Sequence, residues 1–232
     1  IAALGSIEDI AGNAMTSGEI TPIDDAAPIA VSAETTSINA IHVTFSEDIN
    51  GASVSPADFT VDGNAVTVSD ASGGAGVVTL ALGTAIGTGD TPLVTVAGDG
   101  TTSGIQDNAN NWTTAHSISP ADGIAPIVAN VTLSPDSPVK VEIVTFTITY
   151  SEPMDNAIAP TVTYDPQGAL AGAIAQTITQ TSFTGITWEG TAEIPSGDAA
   201  NYDGTAVISI SEGADASDNT NIMSLDTSAE FD

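Results

Sequence analysis

The sequence predicts an all-β chain of short strands, and three observations lead there. Hydrophobic residues make up 41% of the 232 positions but aromatics only 4%, so the apolar material is small or β-branched and suits pleated, half-buried surfaces. Short runs alternate apolar and polar residues and are punctuated by Gly, Pro, Asp and Asn. No segment carries a sustained helical period with caps.

The elements follow in order. Ala27-Pro28 opens a β-rich stretch at Ile29. Ile41 to Phe45 alternates apolar and polar, as a half-buried strand should. Phe59 to Val61, a turn at Asp62-Gly63-Asn64 and Ala65 to Val68 read as a hairpin. Val77 to Leu82 and Leu93 to Val96 are the next strands. The pattern restarts at Ile127, after Ala125-Pro126. Val144, Phe146, Ile148 and Tyr150 then share one strand face, and Ile186 to Ile194 and Ala206 to Ile210 follow. About seven strands in about 100 residues fit an immunoglobulin-like sandwich.

Repetition sets the domain organisation. Pro28 and Pro126 lie 98 positions apart (126 − 28), as do Asn13 and Asn111 (111 − 13), which end the loops Asp9 to Asn13 and Asp107 to Asn111. A third such loop runs from Asp218 to Asn221. Each Asn precedes an aspartate by 11 positions: Asn13 to Asp24, Asn111 to Asp122, Asn221 to Asp232. Phe45-Ser46-Glu47-Asp48 recurs as Tyr150-Ser151-Glu152-Pro153-Met154-Asp155. Residues 1–23 are thus expected to be the remnant of a preceding repeat, 24–121 one whole repeat and 122–232 another. A chain opening on Ile1 inside a repeat is expected to be a processed product or a piece of a longer array.

Charge excludes several functions. Thirty Asp and Glu face one Lys, for a formal net charge of −29. A single cation, Lys140, builds no phosphate-binding patch, which excludes nucleic acid and anionic membrane surfaces. With no cysteine there is no disulfide, thiolate nucleophile or cysteine-held zinc. No apolar run approaches the roughly 20 residues a bilayer crossing needs. His42 falls on the outward face of its strand and His116 in a final strand, where each reads as a satisfied or solvated imidazole. No Gly-x-Ser-x-Gly elbow is present. Among thirty carboxylates some pair always falls at a glycosidase spacing, so that signal is empty without a cleft.

With those motifs in place, each repeat resembles the bacterial and archaeal Ig-like modules of surface-layer proteins and large cell-surface adhesins. The matching residues are Asp24 with Ala27-Pro28, Phe45-Ser46-Glu47 and Asp107 with Asn111, then Asp122 with Ala125-Pro126 and Tyr150-Ser151-Glu152. The second copy departs in two respects: its Asn loop, Asp218 to Asn221, is one residue shorter than Asp107 to Asn111, and Pro28 to Ser46 is 18 positions (46 − 28), whereas Pro126 to Ser151 is 25 (151 − 126). The resemblance implies an extracellular, load-bearing or lattice-forming role, often with calcium.

Calcium also follows from the residues. In a sandwich, the boundary aspartate, the Ser-Glu turn and the Asn loop return to one pole. That gathers Asp24, Asp25, Glu47, Asp48, Asp107 and Asn111 in the first repeat. In the second it gathers Asp122, Glu152, Asp155, Asp218 and Asn221. Calcium takes six to eight oxygen ligands in tolerant geometry, and carboxylates so crowded require a cation that a chain with one lysine cannot supply. The competing explanation is that Asp and Asn are ordinary turn residues and the acidic surplus a salt-adapted or solubilising surface.

The expected function is therefore non-enzymatic. It is a segment of a surface-layer (S-layer) lattice subunit outside the cell, partnered by itself, with calcium-stiffened repeats. One alternative is an adhesin stalk, or a filament subunit that assembles by donating its leading strand. Another is a carbohydrate-binding module using Trp112 or Trp188. Asn111-Trp112-Thr113 and Asn130-Val131-Thr132 fit the glycan acceptor pattern, and Asn130 is the better acceptor because Asn111 is reserved for metal. Lys140 in an isopeptide crosslink is a further option, a plain solvated lysine the simpler one.

Overall fold

The computed structural model describes residues 10–13, 22–70, 76–136, 139, 142–166, 176–194, 206–217 and 226–231. Most of 1–23, together with Lys140, Asp218, Asn221 and Asp232, lies outside the described residues. Among the described residues the chain is all-β, with no α-helix and two 3-10 turns at Gly51–Ser53 and Pro56–Asp58.

The N-terminal half holds β1 (Ala30–Ser37), β2 (Ala40–Phe45), β3 (Phe59–Val61), β4 (Asn64–Ala65), β5 (Thr67–Asp70), β6 (Val77–Ala81), β7 (Val94–Asp99) and β8 (Thr114–Ile118). They form two four-stranded antiparallel sheets, ordered β1-β2-β6-β5 and β4-β3-β7-β8. The C-terminal half holds β9 (Val128–Ser134), β10 (Ile143–Tyr150), β11 (Thr161–Pro166), β12 (Gln176–Thr177), β13 (Thr179–Phe183), β14 (Thr187–Glu193), β15 (Ala206–Ser211) and β16 (Asp226–Phe231). Its sheets run β13-β14-β10-β9 and β12-β11-β15-β16.

Alternation along the strands builds two separate cores. Ile41, Val43 and Phe45 of β2 and Val78 and Leu80 of β6 meet Phe59 and Val61 of β3 and Val94 and Val96 of β7. Val144, Phe146, Ile148 and Tyr150 of β10, with Trp188 of β14, meet Val162 and Tyr164 of β11 and Ile208 and Ile210 of β15. Each core thus draws on both sheets of its half. Every such side chain contributes about 1.5–3 kcal/mol through burial.

The predicted hairpin is there, but its second arm is divided. Asp62 (φ 48) and Gly63 (φ 77) form the two-residue loop between the paired Val61 and Asn64, the left-handed backbone that such a turn demands. The chain then leaves that sheet: β4 pairs with β3, whereas β5 pairs with β6 across the core. The crossing residue is Val66, buried at 7% exposure. Alternation fixed which side chains point inward; it could not tell which sheet each would join.

The two halves repeat particular bonds. Ile29 N–H donates to Ser46 Oγ (3.1 Å) while Ser46 N–H donates to Ile29 O (2.8 Å). Ile127 and Ser151 make the same pair at 3.0 and 2.9 Å. Isolated bridges join Ile49 to Asp107 and Met154 to Asp215.

Polar contacts hold the connecting segment on β1 and join the halves. Within the first repeat Ala121 N–H donates to Ala33 O (2.8 Å) and Thr35 N–H to Ala121 O (3.0 Å), and across the boundary Gly123 N–H donates to Thr35 Oγ1 (3.0 Å). Thr88 Oγ1 lies 2.8 Å from Ser151 Oγ. A Cβ at Gly123 would collide with Thr35 O and the Glu34 side chain, so glycine alone permits this close approach.

Within the N-terminal half, His116 Nε2 accepts from Ala30 N–H (3.0 Å) and Nδ1 donates to Thr114 O (2.7 Å). The ring straps β1 to β8 through these two bonds. His116→Phe is expected to cost about 1–2 kcal/mol, the penalty for stranding the Ala30 donor, read as a lower urea midpoint with an unchanged slope.

Candidate metal centres

Two carboxylate clusters lie at corresponding places in the halves. In each, an aspartate preceding the first strand, a glutamate just after the second strand and an aspartate bridged to the chain behind that glutamate offer oxygens within 4.8 Å of one another. The first is Asp24, Glu47 and Asp107; the second is Asp122, Glu152 and Asp215.

The first cluster is open. Asp24 is exposed, Glu47 half-buried and Asp107 buried at 1% exposure. The Asp107 loop is self-organised: Oδ1 accepts from the N–H groups of Ala109 and Asn111, both at 2.8 Å. Asn111 Nδ2 donates to Asp107 Oδ2 (2.7 Å) and to Asp24 O (3.2 Å). The asparagine predicted as a ligand therefore presents donors and acts as a brace, holding Asp107 against the Asp24 backbone. Asp48 lines the same recess as Asp24 and Glu47, with Asn108 and Ala109. Asp25 is exposed and sits outside the three-carboxylate group. Burial raises the Glu47 pKa, and Asp24 and Asp107 raise it further.

The second cluster is closed. Exposures are 3% for Asp122, 3% for Glu152 and 0% for Asp215. Asp122 Oδ1 accepts from Ile124 N–H (3.1 Å), and Asp215 Oδ1 from Ser217 N–H (3.0 Å). Neither Oε atom of Glu152 has a hydrogen-bond partner of ordinary geometry. Burial pushes its pKa up to about 7, aided by Asp122 and Asp215; the nearby Thr88 hydroxyl offsets only part of this. Three ionised carboxylates at this spacing repel by about 3 kcal/mol per pair at an effective dielectric of about 20.

Of the residues predicted for the second site, Asp122 and Glu152 are brought together; Asp155 is not. Its Oδ1 accepts from Ala157 N–H (2.8 Å), and its own N–H donates to Ala214 O (2.8 Å). Asn50 does the same in the N-terminal half, accepting from Ala52 N–H (3.1 Å) and donating to Gln106 O (2.8 Å). Asp155 thus corresponds to Asn50, a turn cap, and Pro153 occupies the place of Asp48. Asp215 was missed. Its equivalence to Asp107 lies in backbone pairing, Met154 bridging Asp215 as Ile49 bridges Asp107, and no residue pattern ahead of the two aspartates is shared.

Both clusters offer oxygen alone, without imidazole or sulfur, a donor set for hard cations and not for zinc or copper. The stranded oxygens of buried Glu152 fit a bound cation directly, since a buried carboxylate needs compensation. Calcium suits the second cluster better than magnesium, which holds its waters in strict octahedral geometry.

No protein-family model matches the chain, and no curated protein matches it. Among solved structures it is similar to the N-terminal part of the bacterial S-layer protein SbsC, at 13% identity and a TM-score of 0.36. The match covers 89% of this chain and 44% of that one, so the chain spans less than half of that structure's length.

Proposed function

We propose that the chain is a non-enzymatic structural segment of an extracellular surface layer, with calcium stiffening the joint between two immunoglobulin-like repeats. The observation that carries this reading is the position of the buried Asp122–Glu152–Asp215 cluster at the contact of the two halves. Asp122 lies in the connecting segment, and from the N-terminal half Thr35 reaches it while Thr88 reaches Ser151, the residue before Glu152. A cation there would neutralise three carboxylates of the second repeat directly beneath the contact with the first, and so remove their repulsion from the joint. The lattice assignment rests on the sequence resemblance, and a partner copy of the same chain is the expected neighbour. Asn130, exposed on β9, is the proposed glycan acceptor.

The sugar-binding alternative is weakened at Trp188, while Trp112 is half-buried and pairs Gln106 in an isolated bridge. Trp188 is buried at 1% exposure and its Nε1–H donates to Gln180 Oε1 (3.0 Å), so it offers no stacking face. The recess lined by Val61, Asp62, Val66, Leu82, Ile86 and Pro92 contains no aromatic residue.

Isothermal titration should find two calcium ions per chain, and negative-stain microscopy should find ordered sheets with calcium that disperse on chelation. Titration without heat would sink the calcium reading. A chain that stays monomeric throughout would sink the lattice.

A further inference from the structure

The two clusters have the same carboxylate plan but opposite access, and the difference comes from the neighbouring half. Asp24 faces solvent in the first cluster, whereas Asp122, at the same place in the second, is 3% exposed. What covers it is β1 of the N-terminal half. Thr35, itself fully buried, has its hydroxyl 3.4 Å from Asp122 Oδ1 and accepts from Gly123 N–H at 3.0 Å. A second element covers Glu152. The Gly87–Asp90 turn is tightened by Gly87 N–H donating to Asp90 Oδ2 (2.6 Å), and it places the Gly89 backbone against the glutamate. A Cβ on Gly89 would lie 3.0 Å from Glu152 Oε2. Thr88, beside it, reaches Ser151.

We infer that the N-terminal half is the lid of the second cluster: the cation held by Asp122, Glu152 and Asp215 enters and leaves only when the two halves part. This rests on the calcium reading above and adds its regulation. The first cluster, open at Asp24, exchanges its ion freely; the second is a lock whose release rate reports opening of the joint. Such openings are local events, rarer than side-chain motion, and a step that must await one is slow in the dissociation direction. The groups of the lid that meet Asp122 and Glu152 are the Thr35 hydroxyl and the Gly89 backbone, while the carboxylates of Glu34 and Asp90 lie beside them, against Gly123 and within the covering turn.

Rapid mixing of calcium-loaded protein with a fluorescent calcium chelator tests this. Two release phases of equal amplitude are expected, the slower lost in Glu152→Gln and the faster lost in Glu47→Gln. Thr35→Val keeps every carboxylate and nearly the same volume but removes the hydroxyl that holds Gly123. It should accelerate the slow phase about tenfold, the worth of one buried hydrogen bond, and leave the fast phase unchanged. Thr88→Ala provides the same test through the other contact. Two ions released in a single fast phase would overturn the lock and leave calcium binding intact. A slow phase indifferent to both threonine variants would likewise overturn it. A chain that binds no calcium overturns the lock together with the reading beneath it.

Discussion

Chelation with EDTA at constant ionic strength is expected to lower the melting temperature by about 10–20 °C. A ligand bound by the native state alone stabilises by about 2.7 kcal/mol at a hundred times its dissociation constant. One kcal/mol moves the midpoint of a domain of about 100 residues by roughly 4–8 °C. Constant ionic strength is essential, because a chain of net charge −29 is stabilised by any salt that screens self-repulsion. If sodium chloride restores the midpoint as well as calcium does, the acidic surplus is a matter of screening and the clusters are not sites. Magnesium should restore only a fraction, since the closed second cluster leaves little room for its waters. Calorimetry separates the outcomes. A metal-free chain with an unchanged midpoint overturns the calcium reading.

The reach of the sequence is clearest at particular residues. Asp24, Glu47 and Asp107 come from three separated stretches, yet the strand order returns them to one place, within 4.8 Å. That convergence follows from counting strands, because each strand carries the chain from one end of its sheet to the other. Asp122 and Glu152 were reached by the same count. Asp215 was not, because the second Asn loop was aligned by its 11-residue distance to Asp232, whereas the fold aligns it by the bridge from Met154 to Asp215. Spacing to a landmark outside the sheet carries no register; a ladder partner does.

Other limits have the same character. β13 (Thr179–Phe183) was not predicted, since its residues are mostly exposed Thr, Gln and Ser with no apolar alternation to read. Asn111 is expected among the ligands for its side-chain oxygen, and the turn adds what spacing does not carry, an amide nitrogen bonded to Asp107. The enclosure of the second cluster was beyond any pattern in one repeat. It comes from Thr35 and Gly89, which lie 87 and 63 positions before the residues they cover (122 − 35 and 152 − 89). Contacts between repeats leave no period in the sequence.

The metal-free chain should become less stable as pH rises, opposite to the usual behaviour of carboxylate-rich proteins. Glu152 titrates near 7 in the folded chain and near 4.5 when unfolded. Below 4.5 it is protonated in both states, and its neutral form sits in the buried cluster at little cost. Between these values only the folded state holds the proton, so folding is progressively disfavoured as pH rises through about 7. The loss is on the order of 1–3 kcal/mol, or on the order of 10 °C in midpoint between pH 5 and pH 8. Calcium should invert the trend, because the ion binds ionised carboxylates and competes with the proton. Glu152→Gln separates the two effects: without metal at pH 8 it should melt above the parent chain, because a buried charge has been replaced by a neutral amide. With calcium it should melt below the parent, because a ligand has been lost. Melting curves of both proteins, with and without calcium at the two pH values, decide this. If the variant is less stable than the parent under every condition, Glu152 is a packing residue and the second cluster is not a metal centre.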